Sequence, residues 1–204
     1  KTLDGILGQY QAGCGGLTRE EVTRLADTGK LEKWGCTVEA GTARHEDGVL
    51  QLSFVSPEMI DLMGYGGITG TYPQAKDELC VERSFFRYFN LPEEIGQTVA
   101  LDLGDGEKSY TVTGILEAEN DSRIFTVWIP ESAVEPESPY ELRFRFAGSQ
   151  GMEPAQLRAD IERFFIEMDI PEDRTFYSSN YFGMVDLYLG NGMEVYVAAL
   201  LIAV

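Results

Sequence analysis

Few residues in this chain could do chemistry, and their spacing narrows what they could do. His45 is the single histidine, so any nucleophile–histidine pair would have to be built on it. It stands in His45-Glu46-Asp47-Gly48 between two apolar runs, where a turn residue is the expected role. One histidine also excludes the paired-histidine helical zinc motif. The cysteines are Cys14, Cys36 and Cys80, an odd number with no C-x-x-C spacing. A structural zinc site therefore has no support. Cys14 with Cys36 is a conceivable bridge, but three buried free thiols is the preferred expectation.

Carboxylates abound, in Glu20-Glu21, Glu93-Glu94, Glu135 with Glu137, and Glu172-Asp173. A glycoside-hydrolysing pair must face across a cleft at about 5–10 Å. Neighbours in sequence do not show that, and solvated surface charge is expected. The run Gly64-Tyr65-Gly66-Gly67-Ile68-Thr69-Gly70 hints at a phosphate loop, but its G-x-G-x-x-G frame fails at Thr69 and Pro73 follows instead of a helix start. It reads as a flexible hinge or lobe junction. No P-loop pattern occurs, so ATP binding of that kind is excluded for this chain. Asp102 opens a poor EF-hand frame, because Thr113 stands where the closing Glu belongs. Asn120-Asp121-Ser122 is a glycosylation sequon, with meaning only in a eukaryotic secretory pathway. No residue is expected to be catalytic, to bind a cofactor or to ligate a metal, and no substrate-binding residue is assigned.

The composition sets the frame for these residues. The chain has 204 residues, 44% of them hydrophobic, with eleven Phe, enough to bury a core in one domain or two small lobes. Net charge is −18. That surface repels phosphate backbones, so nucleic acid is excluded as a partner, and it has no attraction for anionic lipid heads. The chain opens on Lys1 without a signal peptide and reads as part of a longer protein. Residues 195–204, VYVAALLIAV, carry no charge. Ten residues do not span a bilayer, which needs about 20. They are either a buried terminal helix or the first half of a membrane helix.

The elements follow from period and punctuation. A strand is expected near residues 6–12. Thr18 and Glu21 have capping-box spacing, predicting a short helix that ends near Gly29. Residues 36–44 and 49–55 flank Asp47-Gly48, a hairpin signal. Ser56-Pro57 opens a short helix that Gly64 closes. A strand at 77–81 precedes a helical patch at 84–89. Residues 99–103 and 110–116 predict a second hairpin around Asp105-Gly106, and 124–129 a further strand. Residues 130–139, acidic and proline-rich, read as a connection. Residues 140–146 alternate as a half-buried strand. Leu157, Ile161, Phe164, Phe165 and Met168 mark a helix over 153–168. Residues 172–183 are expected to be irregular, and 184–204 one final helix weakened at Gly190-Asn191-Gly192. Phe85, Phe86, Tyr88 and Phe89 are expected to be core, with a partner-facing surface as the alternative. For Phe176, Tyr177, Tyr181 and Phe182, core packing and a membrane-proximal belt both remain open.

Residues 70–116 read GTYPQAKDELCVERSFFRYFNLPEEIGQTVALDLGDGEKSYTVTGIL. The order Gly-x-x-Pro (Gly70, Pro73), Glu-Leu (Glu78-Leu79), Ile95-Gly96 and Tyr110-x-Val112-x-Gly114-Ile115 resembles the extracytoplasmic core of FtsX-like ABC-transporter permeases, the MacB-type periplasmic core. GQYQAGCGGLTREEVTRL, residues 8–25, is similar to the opening of such domains in Gram-positive bacteria. The resemblance implies an α+β fold. A porter-like α/β lobe would come from both chain ends as βαβ-like halves (1–69 and 138–204), with a smaller β-rich lobe (70–137) inserted. It implies no enzymatic activity in this chain and no cofactor. It implies a cytoplasmic ATP-binding subunit and a second permease copy as partners, and a peptide, lipoprotein or antibiotic as ligand. Location would be the extracytoplasmic face of a bacterial membrane, reached through flanking helices: an apolar span before Lys1, and the helix at Val195 running on to about 20 residues. The residues leave two other readings open. One is a stand-alone secreted or surface-anchored binding module using the aromatic patches. The other is a hydrolase with an acidic pair.

Overall fold

A computed structural model describes residues 10–63, 67–102, 106–117 and 124–183. The chain divides into two compact units, one of Lys1–Trp34 with Glu141–Val204, the other Gly35–Tyr140. The lobe boundaries expected from the sequence lie at 69/70 and 137/138.

The unit Gly35–Tyr140 is built on a ring of strands. β2 (Leu31–His45) and β3 (Gly48–Val55) form a hairpin running from Thr37↔Val55 to His45↔Gly48. β3 pairs in parallel with β8 (Ile124–Trp128), and β8 antiparallel with β5 (Glu78–Glu82). β5 pairs in parallel with β7 (Glu107–Leu116), and β7 antiparallel with β6 (Thr98–Asp102). β6 returns to β2 through Arg44↔Asp102. The ring β2-β3-β8-β5-β7-β6 is thus closed, which removes free edges. β4 (Ile68–Gly70) continues the β6 edge of β7, pairing with Gly114, Ile115 and Leu116.

Alternation fills the ring. Leu50, Leu52, Leu79, Val81, Val99, Leu101, Val112, Phe125 and Val127 are all buried in one cluster. α3 (Arg83–Tyr88) follows β5 directly and adds Phe85 and Phe86 to that cluster. α2 (Pro57–Met63) buries Met59 and Leu62. Ser56 starts it as expected, its Oγ accepting from the Met59 N–H at 3.2 Å.

The other unit has β1 (Ala12–Leu17) between β10 (Thr175–Tyr177) and β9 (Tyr140–Phe146, of which this unit holds the residues from Glu141). β9 alternates as predicted. Leu142 and Phe144 are buried, and Phe144 meets Phe164 and Phe165 of α4 (Pro154–Glu167) at 5.8 Å. α4 buries Leu157, Ile161, Phe164 and Phe165, the predicted stripe, with Met168 half-buried just beyond it. α1 (Arg19–Ala26) carries the predicted capping box: Thr18 Oγ1 accepts from the Glu21 N–H, and Glu21 Oε2 accepts from the Thr18 N–H.

Several expectations are corrected. The strand expected near 6–12 falls mostly outside the described residues; within them the first strand is Ala12–Leu17, whose glycines are packing positions. A Cβ on Gly13 would lie 2.4 Å from both the Leu142 carbonyl oxygen and the Phe176 ring. The first hairpin turns on Glu46-Asp47, with Glu46 at φ 52. Gly48 lies in β3 and is buried, where a Cβ would come 2.7 Å from Phe89. Ile68–Gly70 is strand rather than hinge. Residues 172–183 are ordered: a 3₁₀ turn (Glu172–Arg174), β10, then a helix beginning at 179. The final helix expected at 184–204, with the two readings of 195–204, lies outside the described residues, as does the sequon at Asn120.

Candidate functional site

The 70–116 motif closes on itself. In β4–β7, Gly70 is directly opposite Gly114. Gly70 has φ 99, and a Cβ there would lie 2.3 Å from the Thr113 carbonyl oxygen and 2.8 Å from Ile95 Cδ1. Gly114 is as constrained: its Cβ would meet Cys80 Sγ at 2.4 Å and the Thr71 oxygen at 2.7 Å. Gly96, at φ 87, donates its N–H to the Val112 oxygen at 2.8 Å. The Glu78 carboxylate accepts from the N–H groups of Gln74 and Ala75, at 2.7 and 3.0 Å, closing the turn that Pro73 begins. Those two N–H bonds hold the Glu78 carboxyl below the ordinary range. Tyr72 O–H donates to the Ile129 oxygen at 3.2 Å and accepts from the Val55 N–H at 3.4 Å. Burial pushes the Tyr72 phenol up. Gly70, Tyr72, Glu78, Gly96 and Gly114 of the motif thus serve packing and hydrogen bonding within this unit.

The residues that could have done chemistry are committed elsewhere. His45 ends β2, its ring 4.7 Å from Phe89 and 6.2 Å from Phe85. It belongs to an aromatic group with Phe125, which lies 5.4 Å from Phe89 and 6.0 Å from Phe85. Phe85 and Phe86 are core; Tyr88, 5.2 Å from Phe125, and Ile124 are exposed beside them. The described cysteines are free and buried. Burial pushes the Cys14 and Cys80 thiols up to about 12, so they stay protonated and poorly nucleophilic at neutral pH. Among the described residues no group of His, Cys, Asp or Glu could hold a metal ion, and no helix is long and apolar enough to cross a membrane.

The acidic pairs are separated by task. Glu21 caps α1 and binds Arg174, Glu93 pairs with Arg83 at 2.8 Å, and Glu172 lies in the 3₁₀ turn. Phe182 is buried against Tyr177, which also touches Phe165; this is the core reading of the 176–182 aromatics.

Three polar residues that the sequence did not reveal hold the units together internally. Glu82 is 3% exposed, accepting from the Ser84 hydroxyl at 3.1 Å and the Thr126 N–H at 3.0 Å. A charged residue ending the apolar run Leu79-Cys80-Val81 was the only signal. Arg174 donates to the oxygens of Gly15 and Gly16 and to Glu21, fastening the 3₁₀ turn to β1 and α1. Gln11 is fully buried and makes four hydrogen bonds.

No protein-family model and no curated protein matches the sequence. Solved structures match the fold. One is a domain of a protein described as a permease from Porphyromonas gingivalis: TM-score 0.55, 14% identity, 84% of this chain and 89% of that one. Another is the extracellular domain of the noncanonic ABC-type transporter YknZ from Gram-positive bacteria: TM-score 0.55, 12% identity, 79% of this chain and 88% of that one. The chain has the fold of these domains, a mixed α/β architecture with a large share of mixed strands and few helices.

Proposed function

We propose that the chain is the extracytoplasmic domain of an ABC-transporter permease, paired with a cytoplasmic ATP-binding subunit. It would transmit ATP-driven movement to events outside the membrane and carry no catalysis of its own. The observation that supports this most is the fold match, which extends over nearly the whole of each solved permease domain rather than over a fragment. The pairing of β1 and β10 agrees with it: they are antiparallel with Ala12 opposite Tyr177, which sets the first and last strands of this unit side by side. The finer reading is an FtsX-like permease of MacB type with a second permease copy, handling a peptide, lipoprotein or antibiotic. It rests on the 70–116 and 8–25 motifs.

The test is to express the complete gene product in bacterial cells, separate membranes, and add protease outside. Membrane retention, external cleavage within this domain and a copurifying ATPase support the proposal. A freely released product without an ATPase overturns it in favour of a secreted binding module.

A further inference from the structure

Among the described residues, Gln11 is fully buried with four hydrogen bonds, and it lies directly before β1, opposite the end of β10. Its backbone N–H donates to the Phe144 oxygen at 2.9 Å, and its backbone oxygen accepts from the Ser178 N–H at 2.9 Å. Its side chain reaches further: Nε2 donates to Ser149 Oγ at 2.9 Å, and Oε1 accepts from the Phe146 N–H at 2.7 Å. Gln11 is 0% exposed, and Ser149 and Ser178 are each 2% exposed. Ser178 in turn starts the helix at 179: its Oγ accepts from the Tyr181 N–H at 3.2 Å and its carbonyl oxygen from the Phe182 N–H at 3.0 Å.

The geometry of β1 and β10 makes this placement matter. Among the described residues, Ala12↔Tyr177, Gly13↔Phe176 and Cys14↔Thr175 pair. Load applied to the two flanks pulls at the Ala12–Tyr177 end of an antiparallel pair, where ladder bonds break one after another instead of together. A three-residue ladder with a glycine at its centre resists such peeling poorly. The far end is held by Arg174 on the Gly15 and Gly16 oxygens, and the loaded end by Gln11.

We propose that Gln11 is a force-bearing clamp. Its buried amide passes load from the flanking segments into β9 and the turn at Ser149, so that β1 and β10 move with the sheet instead of peeling from it. The clamp is a property of the fold; its use in transmitting movement from a membrane rests on the permease reading. Gln11 is a positioning residue in this role, since it touches no ligand.

The experiment pulls single molecules of the 204-residue chain through its two ends, and separately through handles on α1 and α4 of the same unit. Gln11→Ala and Ser149→Ala are compared with Leu157→Ala, a core variant that weakens the same unit without touching the clamp. Gln11→Ala is expected to lower the first rupture force in end-to-end pulling alone, Ser149→Ala to lower it less, and Leu157→Ala to leave it unchanged at matched equilibrium stability. Amide exchange at Phe146, whose N–H loses its Oε1 acceptor, should speed up by about tenfold in Gln11→Ala, as loss of one buried hydrogen bond does, while Ser178, bonded to the backbone oxygen that alanine keeps, should change less. Equal weakening along both pulling axes, or an unchanged first rupture, overturns the clamp. A chain that shows the clamp but whose gene product never reaches a membrane leaves the clamp standing and removes the permease reading.

Discussion

Phe85→Ala tests the closed ring most directly. Phe85 is 0% exposed. Its ring lies 5.8 Å from Phe86, 4.9 Å from Phe89, 6.0 Å from Phe125 and 6.2 Å from His45. It therefore ties α3 to the start of β8 and the end of β2. Truncation removes the transfer energy of the ring and leaves a cavity walled by other rings, a loss of about 3–5 kcal/mol. Domains of this size are stable by about 5–15 kcal/mol, and each kcal/mol moves Tm by about 2–4 °C, so the melting point should fall by at least about 6 °C. Phe85→Leu keeps most of the volume and loses the edge-to-face pairs, at a cost of about 1–2 kcal/mol. Tyr88→Ala, on the same helix but 38% exposed, should cost well under half of Phe85→Ala. The assay is urea unfolding followed by Trp128 fluorescence in a Trp34→Phe background, since these are the two tryptophans and Trp128 is buried in β8. A loss under about 1 kcal/mol for Phe85→Ala, or a Tyr88→Ala loss as large, refutes the packing described.

Further outcomes follow from the same geometry. Gly114→Ala should cost about 2–3 kcal/mol by urea unfolding, because its Cβ would press on the fixed Thr71 carbonyl. Gly96→Ala, with nothing within 4 Å, should cost only the left-handed penalty of about 1–2 kcal/mol; equal losses would contradict this. Cys14 and Cys80 should resist a thiol reagent at pH 8 in the folded chain and react in urea, as read by mass; labelling of either at the rate of a free thiol counts against the burial described. Glu21 is held below the ordinary carboxyl range, first by the Thr18 N–H and then by Arg174, and Glu78 by the N–H groups of Ala75 and Gln74. Folded values lie below unfolded ones, so their stabilisation is complete above about pH 5 and drains as pH falls through the lowered values. Tm measured from pH 7 to 3 should fall less steeply in Glu21→Gln than in the parent; an identical slope would exclude Glu21 as a contributor.

Local signals carried the elements whose cause is local. Thr18 and Glu21 predict the start of α1 because a capping box needs only four residues. The alternation from Tyr140 to Phe146 and the period of Leu157, Ile161, Phe164 and Phe165 report which face is wet, whatever covers the other. The 70–116 motif was legible because its glycines and Glu78 serve contacts made mostly within that stretch. Signals failed where the cause was distant. Ala12–Leu17 is Gly-rich and carries no local strand signal, because the close approach of Leu142 and Phe176 lies far along the chain. Thr175–Tyr177 reads as polar and aromatic, since only its partner β1 makes it a strand.

By itself, then, the sequence determined that the chain folds, that it is strongly acidic, and that its single histidine rules out the paired-histidine zinc motif, and it marked 70–116 as one compact stretch. Tertiary structure decided how the strands join. Hairpin β2–β3 belongs with β8 and β6 in a closed ring, through a parallel pair and the single link Arg44↔Asp102. It also decided that a glutamine in an unremarkable run, Gln11, is wholly buried. Both outcomes depend on pairing between residues tens of positions apart, where hydrogen bonds and burial act through space and leave no local pattern to read.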